Sequence, residues 1–254
     1  MNFLTELRLK NEILFNLGLM HLILAALFSV AIFFTNTTVL GINAWIKPTK
    51  FAISTVIYAW TMAWFISKLK YNSNLNLCIW VLAFSLTFEV VYIAYKAYSG
   101  EQSHFNTSSP FNGIMYGFMG LFASLISVIT LYIGVLFLKA DLTSLPNYFA
   151  LAIKISLFLF VIFSLQGFLM GKNMAHTVGA PDGLRGIPFF NWSIQFGDLR
   201  IAHFLGMHAL QIIPLMAFYV LKDVKWVWIF SGIYTSLTIY TLIQALLAKP
   251  IIKL

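Results

Sequence analysis

Long apolar runs broken by short polar stretches make up the chain from Ile13 onwards. Each run is close to or above the roughly 20 apolar residues a helix needs to cross the hydrocarbon core of a bilayer. Seven membrane helices are predicted, over about 13–35, 48–67, 75–98, 111–138, 146–170, 199–221 and 225–247. Their ends coincide with breakers. Asn36-Thr37-Thr38 closes the first, and Pro48 suits the first turn of the second, because a helix start leaves its N–H groups unpaired and proline has none to lose. Asn72-Ser73-Asn74-Leu75-Asn76 separates the second from the third, and Lys222-Asp223-Val224-Lys225 turns the sixth into the seventh. Pro110 and Pro146 open the fourth and fifth. The interval 171–198 holds two Pro and five Gly, and its apolar pieces are too short to span. It should therefore fold over the mouth of the bundle or re-enter partway. The expected fold is an all-α, polytopic membrane helix bundle of about seven transmembrane helices with a long capping loop. Residues 1–254 are expected to form a single transmembrane domain.

Composition supports the pattern. The chain is 60% hydrophobic and 9% charged, with a mean hydropathy of +0.86, whereas a soluble domain carries about a quarter charged residues. The net charge of +8 comes from Lys and Arg placed singly at the ends of apolar runs. Membrane lipids are the expected surroundings, and no basic run points to nucleic acid. Arg8 and Lys10 precede a first run longer than the apolar core of about 7–15 residues in a secretory signal, so a retained first span is expected. The single cysteine, Cys78, allows no intrachain disulfide and no thiolate cage.

With seven spans the connections alternate sides. Trp45 to Lys50, Glu101 to Asn106, loop 171–198 and the start of the sixth helix then share one face. The opposite face holds the N-terminus and plain turns near 70, 140 and 223. One end is built for binding or chemistry, and the other connects. Cations are split almost evenly. Arg8, Lys10, Lys68, Lys70, Lys139, Lys222 and Lys225 lie on the plain face, and Lys47, Lys50, Lys96, Lys172, Arg185, Arg200, Lys249 and Lys253 on the polar one. If cations on the polar face serve a site, the positive-inside rule makes that face extracytoplasmic.

The densest chemistry lies at 191–214. Advancing about 100° per residue from Arg200, the residues His203, Met207, Gln211 and His208 fall within an arc of about 140°. That arc is expected to face the bundle interior, because polar groups in lipid need partners. The i, i+5 spacing of His203 and His208 does not fit the i, i+4 zinc pair of H-E-x-x-H proteases. They could flank a ligand, ligate singly, or only hydrogen-bond within the bundle. Asp198 reads as the N-cap of this helix, which also brings it near Arg200.

On the third helix Glu89, Tyr92 and Lys96 form one stripe with Ser85. A carboxylate this deep needs a cation, a metal or a proton. It is either an ion-pair partner of Lys96 or Arg200, or a catalytic base, ligand or proton carrier; Arg200 is the second candidate catalytic residue. His104 and His176 lie in loops on the polar face, so four of the five histidines (His104, His176, His203 and His208) are candidate metal ligands. His21 reads as a helix-end residue. Lys47, Lys50, Arg200 and Gln211 are candidate cofactor-binding residues. Lys47 and Lys50 would otherwise be interfacial anchors, and Asp182-Gly183-Leu184-Arg185-Gly186 a solvated turn.

There is no G-x-S-x-G, Walker, G-x-G-x-x-G or C-x-x-C-H sequence, no desaturase histidine box, and no central lysine in the seventh helix for retinal. The segments Trp45-Ile46-Lys47-Pro48-Thr49-Lys50-Phe51, Ser103-His104-Phe105-Asn106 and Gly197-Asp198-Leu199-Arg200-Ile201-Ala202-His203-Phe204-Leu205-Gly206-Met207-His208-Ala209-Leu210-Gln211 resemble a family of uncharacterised bacterial multi-pass proteins. That resemblance implies a bacterial inner-membrane location and carries no activity with it. The residues point first to a haem- or transition-metal-dependent redox protein in which Glu89 moves protons. The alternatives are a transporter or sensor for a small anion or lipid, or a metal-dependent lipid hydrolase.

Overall fold

A computed structural model describes residues 3–70 and 73–252. Asn72 of the predicted turn and Lys253 of the polar-face cations lie outside the described residues. The helices are α1 (Phe3–Lys10), α2 (Glu12–Phe34), α3 (Ile46–Ile66), α4 (Ser73–Tyr98), α5 (Pro110–Lys139), α6 (Asn147–Leu165), α7 (Gly167–Asn173), α8 (Leu199–Met216) and α9 (Val224–Leu246). Among the described residues, six helical segments are long and apolar enough to cross a membrane: α2, α4, α5, α6 with α7, α8 with the wide turn Ala217–Leu221, and α9. The 21-residue α3 is long enough, but its Lys, Thr, Tyr and Trp residues dilute its apolarity. The chain is an all-α, multi-pass membrane bundle. Its outward faces carry exposed side chains such as Leu27, Phe33, Phe84, Ile162 and Ile233, suited to lipid.

The chain divides into two compact units, Met1–Ile129 and Thr130–Leu254, with the boundary inside α5. In the first, α2 packs along α3. Ala52, Ala59 and Ala63 lie on one stripe of α3 and are fully buried. Without a hydrophobic driving force between helices in lipid, small residues associate them by letting backbones approach closely. Gly18 lies under the Trp60 indole, which donates to the Phe15 carbonyl. The predicted short loop after α2 is a small hairpin, β1 (Thr38–Val39) and β2 (Ile42–Asn43). Asn43 closes it by donating to the carbonyls of Ile32 and Thr35.

In the second unit α6 packs on α8 in the same manner. Ala202, Gly206 and Ala209 are buried, and a methyl on Gly206 would sit 2.0 Å from the Phe163 ring. The fifth predicted span is broken between α6 and α7 at Gln166. The sixth continues beyond Pro214, which lacks the N–H a regular helix needs, into the wide turn, where Lys222 N–H reaches the Ala217 carbonyl. The long loop is folded. β3 (Thr177–Val178) pairs antiparallel with β4 (Gly197–Asp198), and Gly186 bridges to Ser193. Gly197 has no room for a side chain, because a Cβ there would meet the Ala245 carbonyl oxygen at 2.0 Å.

Candidate functional site

Each unit carries its own polar cluster. In the first, Lys47 in the first turn of α3 places its Nζ 3.1 Å from His104 Nδ1. Ser103 Oγ lies 3.0 Å from the same nitrogen. An ammonium group can only donate, so Nδ1 of His104 is the acceptor and the neutral ring carries its proton on Nε2. Phe51, Phe105 and Tyr116 surround the ring. Lys50 is half-buried one turn along α3.

Glu89 of α4 is 8% exposed, and its Oε1 has no hydrogen-bond partner. Lys47 is the charge that bears on it electrostatically. The predicted Glu89–Lys96 pair does not form. Lys96, 3% exposed, donates to Glu101 Oε2 at 2.6 Å instead. The physical reason is reach. The long lysine stem extends past the last turn of α4 to an acid beside water, where pairing requires less desolvation than at Glu89. Asn106 and Asn112 also donate to Glu101. The hydrogen bond from Lys96 and its charge hold the Glu101 carboxyl below the usual carboxylate range. Glu101, Gln102, Phe105, Asn106, Thr107 and Ser108 line an open polar groove of about 420 Å³.

His21 departs most from expectation. It lies in the middle of α2, fully buried, with Nδ1 on the Leu17 carbonyl at 2.9 Å and no partner for Nε2. It is therefore not a helix-end residue. The overlooked signal is its position well inside an apolar run, which by itself marks an intramembrane imidazole.

In the second unit Asp198 is the N-cap of α8, as its sequence position predicts, and accepts the Arg200 N–H at 3.0 Å. Its fully buried carboxylate also accepts Arg200 Nε at 2.9 Å, an Arg200 terminal nitrogen at 2.6 Å and the Ser193 N–H at 2.8 Å. The same terminal nitrogen of Arg200 donates to the Asn191 carbonyl. Arg200 thus ties the end of the capping loop to the start of α8, a structural engagement for a residue predicted to act in catalysis or anion binding.

His176 donates through Nδ1 to Asp182 at 2.6 Å, and Asp182 also accepts the N–H groups of His176 and Thr177. Partial burial alone would push the Asp182 carboxyl up. The hydrogen bond and charge of His176 and the backbone donors override it and hold the group well below the usual carboxylate range. His203 places Nδ1 2.7 Å from the Phe163 carbonyl, just before the break at Gln166. His208 places Nδ1 3.1 Å from Gln211 Oε1 and stacks on Phe204. His176 and His208 both lie near enough to bear electrostatically on His203. In these three rings Nδ1 faces an oxygen.

The polar arc of α8 was expected to be its interior face. Instead Arg200, His203, Met207, His208 and Gln211 are half-buried, whereas Leu199, Ala202, Gly206, Ala209, Leu210 and Ile213 are buried. The arc of small residues permits the closest helix approach and therefore takes the contact. Among the described residues, no group of three or more His, Cys, Asp or Glu is arranged to hold a metal ion. No protein-family model, curated protein or solved structure matches the chain.

Proposed function

We propose that this is a proton-handling multi-pass protein of the bacterial inner membrane, with Glu89 as the group that takes up and releases the proton. The observation that carries the reading is Glu89 itself, a carboxylic acid buried within a membrane helix with an oxygen left unpartnered. Intramembrane acids are costly unless they serve an ion or proton path. Lys47, bearing on Glu89 and bonded to His104, provides an adjacent cation and an imidazole, and the loop of His104 leads to the surface. With Lys47 and other cations of that face assigned to the site, the positive-inside rule leaves the loop extracytoplasmic. The test is infrared difference spectroscopy of reconstituted protein through a pH titration. A protonated-carboxyl stretch that titrates in the wild type and vanishes in Glu89→Gln supports the proposal. A spectrum that Glu89→Gln leaves unchanged refutes it.

A second reading keeps the histidines as ligands of haem iron or a redox metal. It is favoured by the anchoring of Nδ1 in His203 and His208, the arrangement that orients metal-bound imidazoles. A haem needs only one or two protein ligands, whereas a hydrolytic zinc needs three. The redox reading is therefore better supported than the hydrolase. An absorption spectrum with elemental analysis decides it. A Soret band or stoichiometric iron or copper, lost in His203→Ala and kept in His104→Ala, would establish it. Colourless, metal-free protein would sink it.

A further inference from the structure

We infer that the first unit holds a one-sided file of bound water, leading from the Glu101 end of α4 inward to the level of Ser85 and His21. This rests on Glu89 being the proton carrier, because the file is its supply.

Ser85, Glu89, Tyr92 and Lys96 fall within about 60° of one another around α4 and extend over roughly 17 Å of its length. All four are buried, and Ser85 Oγ, Glu89 Oε1 and the Tyr92 hydroxyl have no hydrogen-bond partner. His21 Nε2 is a fourth such atom. Its depth follows from packing. Ala25 of α2 and Val90 of α4 share one core cluster, and α2 and α4 run in the same direction because α3 returns between them. His21 lies four residues before Ala25 and Ser85 five before Val90, so both reach the same level to within about 2 Å.

Buried polar groups in folded proteins are almost always satisfied, by protein or by ordered water. These four orphans, three of them on a single stripe, call for a shared occupant. Hydroxyl, carboxyl and imidazole groups combine donors with acceptors, and water offers both. Glu89 would repel an anion, and Lys47 and Lys96 would repel a bare metal cation.

The file opens at one end only. At its mouth Lys96 meets Glu101 beside the polar groove of residues 101–108, and Asn112 Oδ1 there is a further buried orphan. Beyond Ser85 the buried residues of three helices are apolar: Leu82, Ile79 and Leu75 on α4, Leu17 and Leu14 on α2, and Met62, Ala63 and Phe65 on α3. Protons reach Glu89 from the Glu101 side and stop there.

The test is sided thiol labelling. Ser85→Cys, Tyr92→Cys, Leu82→Cys and Thr107→Cys are made singly in a Cys78→Ser chain and checked for monodisperse elution. A small membrane-impermeant methanethiosulfonate is applied to intact cells and to inverted vesicles. Thr107 is exposed in the loop at the mouth and identifies its side. We expect Tyr92→Cys and Ser85→Cys to react from the side that labels Thr107→Cys, with Leu82→Cys at least tenfold slower from either side. Ser85→Cys is nearly isosteric, so its reaction does not come from a created cavity. Protection of Ser85→Cys from both sides while Thr107→Cys reacts overturns the proposal, as does equally fast labelling of Leu82→Cys from the opposite side. The infrared experiment reads protonation and this one reads hydration, so failure of the carrier and failure of the file are separate results.

Discussion

Replacing Asp198 tests how the capping loop is held on α8. The carboxylate has zero side-chain exposure and accepts four hydrogen bonds: the Arg200 N–H, the Arg200 Nε, an Arg200 terminal nitrogen and the Ser193 N–H. Asp198→Ala removes an N-cap, which costs about 1 kcal/mol. It leaves the Ser193 N–H unsatisfied, at about 1–3 kcal/mol. It also deprives a guanidinium of its counter-ion, and breaking buried pairs costs about 3–5 kcal/mol in all. These contributions overlap. Arg200 is 27% exposed and can recover some hydration, so the lower part of the range applies, about 3–4 kcal/mol. Asp198→Asn keeps an oxygen for the cap and loses the charge, so roughly half that loss is expected. Equilibrium denaturation in mixed micelles, followed by fluorescence and by proteolysis of the loop, measures both variants. The double variant Asp198→Ala/Arg200→Ala should lose less than the sum of the single ones, because it strands no charge. An Asp198→Ala loss below about 1 kcal/mol, or strictly additive single variants, would refute the clamp.

Gly206→Ala should destabilise the α6–α8 contact by about 1–3 kcal/mol, because its methyl must displace the Phe163 ring. Thermal unfolding in detergent checks it, and Gly232→Ala, where nothing lies within 4 Å of the new atom, is the control. Acid should loosen the capping loop through Asp182. Its carboxyl is depressed in the folded protein relative to an ordinary value of 3.8. Its contribution is therefore fully present above that value and is lost as pH falls from there towards the folded value. Unfolding midpoints measured downward from pH 5 should fall more steeply in the wild type than in Asp182→Asn, and parallel curves would contradict the assignment.

The positions of the seven long helices were legible because spanning runs and their breakers are local signals. The Asp198 cap was legible for the same reason, since its partner Arg200 N–H is two residues away. What escaped depended on tertiary reach. The bond between His176 and Asp182 closes an irregular loop with no periodicity to reveal it. Lys96 chose Glu101 beyond the helix end over Glu89 on its own stripe, a competition between two acids that spacing alone does not resolve. The arc of α8 that would be buried turned on which side offered small residues to α6, not on which carried charge. His21 was visible as a residue but not as a site, because its significance comes from an Nε2 that burial leaves unpartnered.

The two polar clusters differ in a way that bears on which one works. In the second unit the conspicuous groups are engaged by the chain itself: Asp198 by four donors, Asp182 by His176 and Thr177, and His203 by a backbone carbonyl. Such groups rigidify a fold, and changing their protonation would dismantle it. In the first unit His21, Ser85, Glu89 and Tyr92 are buried with capacity unspent. An unsatisfied buried group is unfavourable for stability, so an arrangement that keeps several along one helix face implies exchange with something mobile. The buried unpartnered atoms of the second unit, Gln166 Oε1, Ser231 Oγ and Gln244 Oε1, include no acid, whereas a proton entering the first unit finds an acid, an imidazole and hydroxyls. On the proposed reading, the motif-rich segment around α8 is the frame and the quieter face of α4 holds the working groups. Infrared signals that follow Glu89 rather than His203 are the outcome this division of roles requires.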